Sequence, residues 1–431
     1  MATLTPKPIS PFRLSSLIRL QKDPTLAFQL FQNPNPTQNP RKPFRHSLLS
    51  YDLIITKLGR AKMFDQMEQV LLQLKQERRF VVPEFIFCDV ISFYGRARLL
   101  ARALQTFDSI PSFQCRRTIK SFNSLLDALL NCRELEKMKN FFLGVDKYGC
   151  PDACTYNILI SACCINRNLE VAWHVFDEMQ RKGVRPTVVT FGTLINGLCL
   201  DFRLEEAFEL KEDMMRVFKV KPNAFLYTTL LKGICGTGDL SLAFRIKEEM
   251  VGHKIKLDTA VYNTLISALL KVGRKEEALG ILEEMKNNGC KPNTVTYNAM
   301  INGFCGESNL EEAYRVLDEM AEKGCKPNVI SYNVIIGRLC KEGKWSEAND
   351  LFQDMPRRGC SPDVVSYRTL FDGLCGWMQL KEAALILDEM IFKGYVPLRA
   401  SINKFVNGLC HEGNTELLLE VLTSLGKGIL K

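Results

Sequence analysis

The chain has 431 residues, of which 46% are hydrophobic and 24% charged, the balance of an ordinary folded soluble protein. No uninterrupted apolar run approaches the roughly 20 residues that a bilayer-crossing helix needs, which excludes a membrane span. The formal net charge is +9, but residues 1–46 hold seven Lys or Arg against Asp23 alone, so +6 lies there and only +3 remains for 47–431. A body so nearly neutral gives nucleic-acid binding little support from net charge, and any electrostatic footprint must come from how charges are distributed over its faces.

The first 46 residues are rich in Pro, Ser, Thr and Gln, with Lys7, Arg13, Arg19, Lys22, Arg41, Lys42 and Arg45 as their cations. Within them Phe12–Leu20 has the pattern of a short basic amphipathic helix that gathers Leu14, Leu17 and Ile18. This is the composition of an organelle transit peptide, and the Arg-bearing helix favours the mitochondrion over the chloroplast. The competing expectation is a tail followed by a capping helix around Pro24–Phe31.

From residue 47 onward the chain repeats itself. Tyr262-Asn263, Tyr297-Asn298 and Tyr332-Asn333 recur every 35 residues, which identifies a stacked-repeat protein. Counting Thr259 as place one, the copies are 48–83, 84–118, 119–152, 153–187, 188–223, 224–258, 259–293, 294–328, 329–363, 364–398 and a partial 399–431. In the copy 294–328, Tyr297, Met300, Ile301 and Phe304 share one helical face, and Ala313, Val316, Leu317 and Met320 share another. Gly-Glu-Ser-Asn at 306–309 is the turn between these two helices, Gly324 ends the second in the left-handed conformation, and Asn328 caps the next. Ala at place 20 marks a close helix approach, and Met at place 27 fills the gap between neighbouring pairs. No single pair can bury its apolar face, so the expected fold is all-α, a right-handed α-solenoid of helix-turn-helix repeats with an extended concave surface.

The sixteen cysteines follow the same register. Cys164, Cys199, Cys235, Cys305, Cys340, Cys375 and Cys410 stand at place 12, and Cys150, Cys290, Cys325 and Cys360 at place 32. Equivalent places in adjacent repeats lie roughly 9 Å or more apart, beyond the roughly 7 Å Cα limit of a disulfide. Buried reduced thiols in a reducing compartment are the reading, with no metal site. The histidines His46, His174, His253 and His411 are scattered over different copies, and neither a zinc-deaminase signature nor a GxxxxGK[ST] loop is present. We therefore expect no catalytic constellation and no cofactor. At place 13 the cations Arg60, Arg96, Lys271 and Lys341 are candidates for phosphate contact.

Val-Thr-Tyr-Asn-Ala-Met-Ile-Asn-Gly-Phe-Cys at 295–305, followed by the stretch Asn309 to Asn328 with its Lys-Pro-Asn ending, closely resembles the pentatricopeptide repeat motif. The resemblance covers roughly nine-tenths of the chain, whereas a tetratricopeptide array has a 34-residue period and lacks the Tyr-Asn and Lys-Pro-Asn/Asp elements. It implies the plain 35-residue class of plant organelles, which binds single-stranded RNA and acts in processing, stabilisation, splicing or translation, with other RNA-processing or ribosomal proteins as further partners. It also implies base reading at places five and 35 and a base-sandwiching wedge at place two. The reading pairs are then Asn123/Asp152, Asn157/Thr187, Thr228/Asp258, Asn263/Asn293, Asn298/Asn328 and Asn333/Asp363, and the wedges include Val189, Val295, Ile330 and Val365. In the family's pattern these pairs propose 5′-U-Y-N-G-Y-Y-U-3′, with Gly192 leaving the third base unread. Asn or Asp at place 35 would cap a helix with or without RNA, and the pairs Asp52/Pro83, Cys88/Thr118, Gly192/Asn223 and Arg368/Leu398 fit no clear code. The alternative function is a protein-binding or ribosome-associated scaffold.

Overall fold

The computed structural model describes residues 9–34, 44–77 and 79–413. Lys7, Arg41, Lys42 and the part of the last copy beyond residue 413 lie outside them. Among the described residues there are 23 α-helices, two short 3-10 helices and no strand. No helix there is long and apolar enough to cross a membrane. The chain divides in sequence into two compact units between Pro222 and Asn223.

Each unit is an α-solenoid built from the expected hairpins. Within a unit the first helix of a copy packs on the second helix of the same copy and on the first helix of the next. The copy 294–328 shows why. Asn293 caps Thr294–Gly306 by accepting from the N–H groups of Val295 and Thr296, and the Thr296 hydroxyl accepts in return from the Asn293 N–H at 3.0 Å. Tyr297, Met300, Ile301 and Phe304 are buried on one face of that helix, and Ala313, Val316, Leu317 and Met320 on one face of Leu310–Glu322. Gly324 has a φ of +76° and ends the second helix as expected. The place-20 alanines and place-27 methionines from 172 to 390 are all buried.

Two features of this packing are not announced by the helical pattern. At place 15 the turn is left-handed in every copy where it is described, yet Lys62, Arg98, Arg133, Arg167, Phe202, Ser308 and Met378 occupy it more often than glycine does. At place 10 glycine admits the place-12 side chain of the preceding copy. A Cβ on Gly373 would lie 2.3 Å from the Cys340 Sγ, and one on Gly197 would lie 2.5 Å from the Cys164 Sγ. The cysteine and glycine positions are therefore one complementary contact between consecutive first helices. Burial pushes the Cys164 and Cys375 thiols up to about 12, and those of Cys199, Cys305 and Cys340 to about 11. They pack as neutral small hydrophobes.

The N-terminal stretch contains α1 (Pro11–Leu20) and α2 (Pro24–Gln32), both packed on α3 (Leu48–Arg60). Leu14 and Ile18 of α1 and Ala27 and Phe31 of α2 are fully buried, while Leu17 is half-buried.

Candidate nucleic-acid interface

The amide of each place-five asparagine lies one helical turn inside its helix, where asparagine has poor intrinsic propensity. Its surroundings explain its presence. Asn298 donates through Nδ2 to the Asn328 Oδ1 at 3.2 Å, and its Oδ1 accepts from the Ser331 hydroxyl at 2.6 Å. Asn123 repeats the arrangement with Asp152 at 3.0 Å and Thr155 at 2.7 Å, and Asn263 does so with Asn293 at 3.4 Å and Thr296 at 2.6 Å. Places five and 35 are thus joined directly, and the buried hydroxyl at place three of the next copy holds the amide carbonyl. One Nδ2 hydrogen on each asparagine remains for another acceptor. Partial burial draws the Asp152 carboxyl up, but the Thr155 N–H and hydroxyl and the Asn123 amide outweigh it and hold the carboxyl below its ordinary range.

Three pairs depart from this pattern. Asn333 reaches Asp363 at 3.4 Å, but the Ser366 hydroxyl bonds Asp363 instead, and the buried Asn333 Oδ1 has no partner. The Asn157 Oδ1 is likewise buried without a partner, while Thr187 forms a capping box with Thr190. The Thr228 hydroxyl donates to the Ala224 carbonyl at 2.7 Å, and Asp258 accepts from the N–H groups of Ala260 and Val261. Place three of that next copy is Val261, which has no hydroxyl to offer. Thr228 and Asp258 therefore present acceptors, where the asparagine pairs present a donor beside an acceptor. Arg368, at a pair that fits no code, is clipped to the Val396 carbonyl by Nε at 3.0 Å and Nη2 at 2.5 Å.

The wedge candidates Val189, Val295, Ile330 and Val365 are each half or more exposed. Phe85 and Phe225 occupy the same place and are as exposed. Sequence reasoning did not single them out, although counting place two through every copy would have found them. In the second unit, Asn263, Asn293 and Val295 line an open groove of about 730 Å³ together with Lys232 and Lys271. Lys271 is one of the place-13 candidates for phosphate contact, and Lys232 is a further cation lining the same groove. Arg60, Arg96 and Lys341 are exposed at the ends of their helices. Carboxylates accompany the two arginines: burial raises Asp89 while Arg60 and Arg96 draw it down, and burial raises Asp127 while Arg96 opposes it. Phosphates would meet mixed charge there. Among the described residues no three His, Cys, Asp or Glu gather to hold a metal.

Comparison with known proteins agrees with this geometry. The PPR repeat family profile matches residues 117–165, 151–200, 257–306, 292–340 and 327–376, the PPR repeat profile matches 189–217 and 365–395, and the pentatricopeptide repeat domain profile matches 209–255. A pentatricopeptide repeat-containing protein of Arabidopsis thaliana is 56% identical over 180 residues, covering 42% of this chain and 38% of its own. A mitochondrial pentatricopeptide repeat-containing protein of the same plant is 32% identical over 184 residues, covering 42% of this chain and 44% of its own. The chain thus spans well under two thirds of the length of these relatives. The crystal structure of the pentatricopeptide repeat protein PPR10 from maize superposes with a TM-score of 0.56 at 21% identity, over 97% of this chain and 64% of that one, which establishes a shared fold.

Proposed function

The chain belongs to the pentatricopeptide repeat family, and from that premise we propose that it is a sequence-specific single-stranded RNA-binding protein of a plant organelle, the mitochondrion before the chloroplast. It reads one base per repeat and acts in processing, stabilisation, splicing or translation without catalysing a reaction itself. The observation that carries this reading is the recurrence of a tethered polar pair, at Asn123/Asp152, Asn263/Asn293 and Asn298/Asn328, in an array whose place two carries an exposed apolar wedge at Phe85, Val189, Phe225, Val295, Ile330 and Val365. A base can stack on the wedge while its edge meets the pair. An asparagine held by its carbonyl offers its free amide hydrogen to a pyrimidine carbonyl. The Thr228 hydroxyl, its proton turned toward Ala224, offers lone pairs beside the Asp258 carboxylate. Two acceptors side by side match the N1–H and N2–H donors of guanine. The resulting site is 5′-U-Y-N-G-Y-Y-U-3′. The organelle assignment rests on the basic N-terminal composition and on a relative named as mitochondrial.

The test is Thr228→Asn in the full chain, with binding measured to four RNAs that differ only at the G position. Preference there should move from G toward U by about 1–3 kcal/mol, the range for exchanging one base-edge hydrogen-bonding pattern. Equal weakening for all four bases would make Thr228 structural and end base reading at this repeat. A protein-binding scaffold would enrich no sequence from a randomised pool.

A further inference from the structure

We propose that the helix pair α1–α2 is itself a repeat of the array, and that Phe12 is its base-stacking residue, giving the RNA path one more site at its 5′ end than the 35-residue period reveals. The inference rests on the RNA-binding reading above and extends it to residues whose composition resembles a leader.

The register of α1 and α2 carries the argument. Ser10 caps α1 by accepting from the Arg13 N–H, so Pro11 is place one, Phe12 place two, Leu14 place four, Ser15 place five and Ile18 place eight. Leu14 and Ile18 are fully buried, as are Tyr297 and Ile301 at places four and eight of 294–328. Asp23 caps α2, which puts Ala27 at its fourth residue, where Ala313 stands in Leu310–Glu322, and Phe31 where Leu317 stands. Both are fully buried. The inter-repeat staple is present as well, made from three serines. Ser15 at place five hydrogen-bonds Ser47, the cap of α3, at 3.2 Å and Ser50, at place three of α3, at 2.8 Å, while Ser47 and Ser50 are 2.9 Å apart. This is the triangle of Asn298, Asn328 and Ser331 with hydroxyls in place of amides. Place three of α1 departs from the later pattern: the exposed Arg13 occupies it where most later copies carry a buried hydroxyl.

Phe12 then falls in the wedge row, and it is 80% exposed, against 59% for Ile330 in the same row. An aromatic ring held open at the start of a packed helix is a poor arrangement for stability and a good one for a base, which stacks on it regardless of sequence. Ser15 and Ser47 are committed to each other and to Ser50, so the site stacks a base with little discrimination among the four.

The reading places this repeat three nucleotides 5′ of the first U. The experiment uses the full chain and RNAs of the form 5′-X-N-N-U-C-A-G-C-C-U-3′ with 2-aminopurine at X, alongside the core U-C-A-G-C-C-U. Binding should quench the 2-aminopurine, and the extended RNA should bind at least about fivefold more tightly than one lacking X, by the stacking value of one base. Phe12→Ala should remove both effects and leave affinity for the core unchanged, and Phe12→Trp should keep them. Because Phe12 is exposed, neither substitution disturbs the buried Leu14 and Ile18. Binding of the core without quenching at X, or quenching that survives Phe12→Ala, would overturn this inference alone. Failure to bind the core at all would remove the RNA reading, and this inference with it.

Discussion

Ser331→Ala, set against Ser366→Ala, separates the staple from the helix cap it belongs to. The Ser331 side chain is fully buried; its hydroxyl donates to the Asn298 Oδ1 at 2.6 Å and accepts from the Asn328 N–H at 3.2 Å. Removing it leaves a carbonyl and an N–H without these partners, each costing about 1–3 kcal/mol where buried. Asn298 is only partly buried and water can serve it, so the lower end applies and the loss of stability should be about 2 kcal/mol. The functional consequence is distinct. With Oδ1 released, the Asn298 amide can turn over, exchanging donor and acceptor at the base edge beneath it. Discrimination at the sixth base of the site should fall by about 1–2 kcal/mol, roughly tenfold. Ser366→Ala is the internal control, because that hydroxyl serves the cap at Asp363 and does not reach Asn333. It should lower stability by a similar amount and leave base preference under Asn333 intact. The assay is competition binding with four RNAs per position, at a temperature where circular dichroism shows each variant folded. If Ser331→Ala lowers affinity equally for all four bases, or if both variants change base preference alike, the staple does not orient the reading amide and the reasoning fails.

Two further outcomes follow from packing and from burial. Gly373→Ala should destabilise the second unit by about 1–2 kcal/mol, since overpacking costs about 1–3 and only part is offset by the helix propensity of alanine; Gly280→Ala, with nothing within 4 Å of the new Cβ, should stabilise by about 0.5–1 kcal/mol. Thermal unfolding compares the two, Cys340→Gly should relieve the first, and equal effects of both substitutions would contradict the proposed contact. His46 stacks on Phe31 with ring centroids 4.1 Å apart, and burial pushes its imidazole down to about 4, with Glu77 opposing and Arg79 assisting. The fold therefore prefers neutral His46, so its contribution is full above the ordinary imidazole value near 6.5 and is lost as pH falls from there toward 4. Amide exchange over α1 to α3 at pH 5 against pH 7 should show about 1–2 kcal/mol less protection, discounted for partial exposure, and His46→Phe should flatten the difference.

The fold was legible because a 35-residue period carries its own evidence. Tyr262, Tyr297 and Tyr332, the alanines at place 20 and the methionines at place 27 each recur on one face, and each is buried where that face predicts. What periodicity reports is which side of a helix is apolar; it does not report which residue of the neighbouring copy stands opposite. Cys340 and Gly373 are 33 positions apart, as are Asn298 and Ser331, and neither pairing exists until two first helices are laid side by side. For the same reason the asparagine at place five looked like a residue set aside for a ligand, when at Asn123, Asn263 and Asn298 its carbonyl already belongs to the next helix cap and only the remaining amide hydrogen is free to read a base. The N-terminal repeat shows the limit most sharply. Its first helix is ten residues long where the others have mostly 13, its staple is made of serines, and prolines open both of its helices, so composition spoke for a leader. Yet Pro11 and Pro24 stand at the one helical position that needs no N–H, and the triangle of Ser15, Ser47 and Ser50 needs only hydroxyl groups. Cutting at residue 46 would bare the apolar surface of α3 against which Leu14, Ile18, Ala27 and Phe31 are buried.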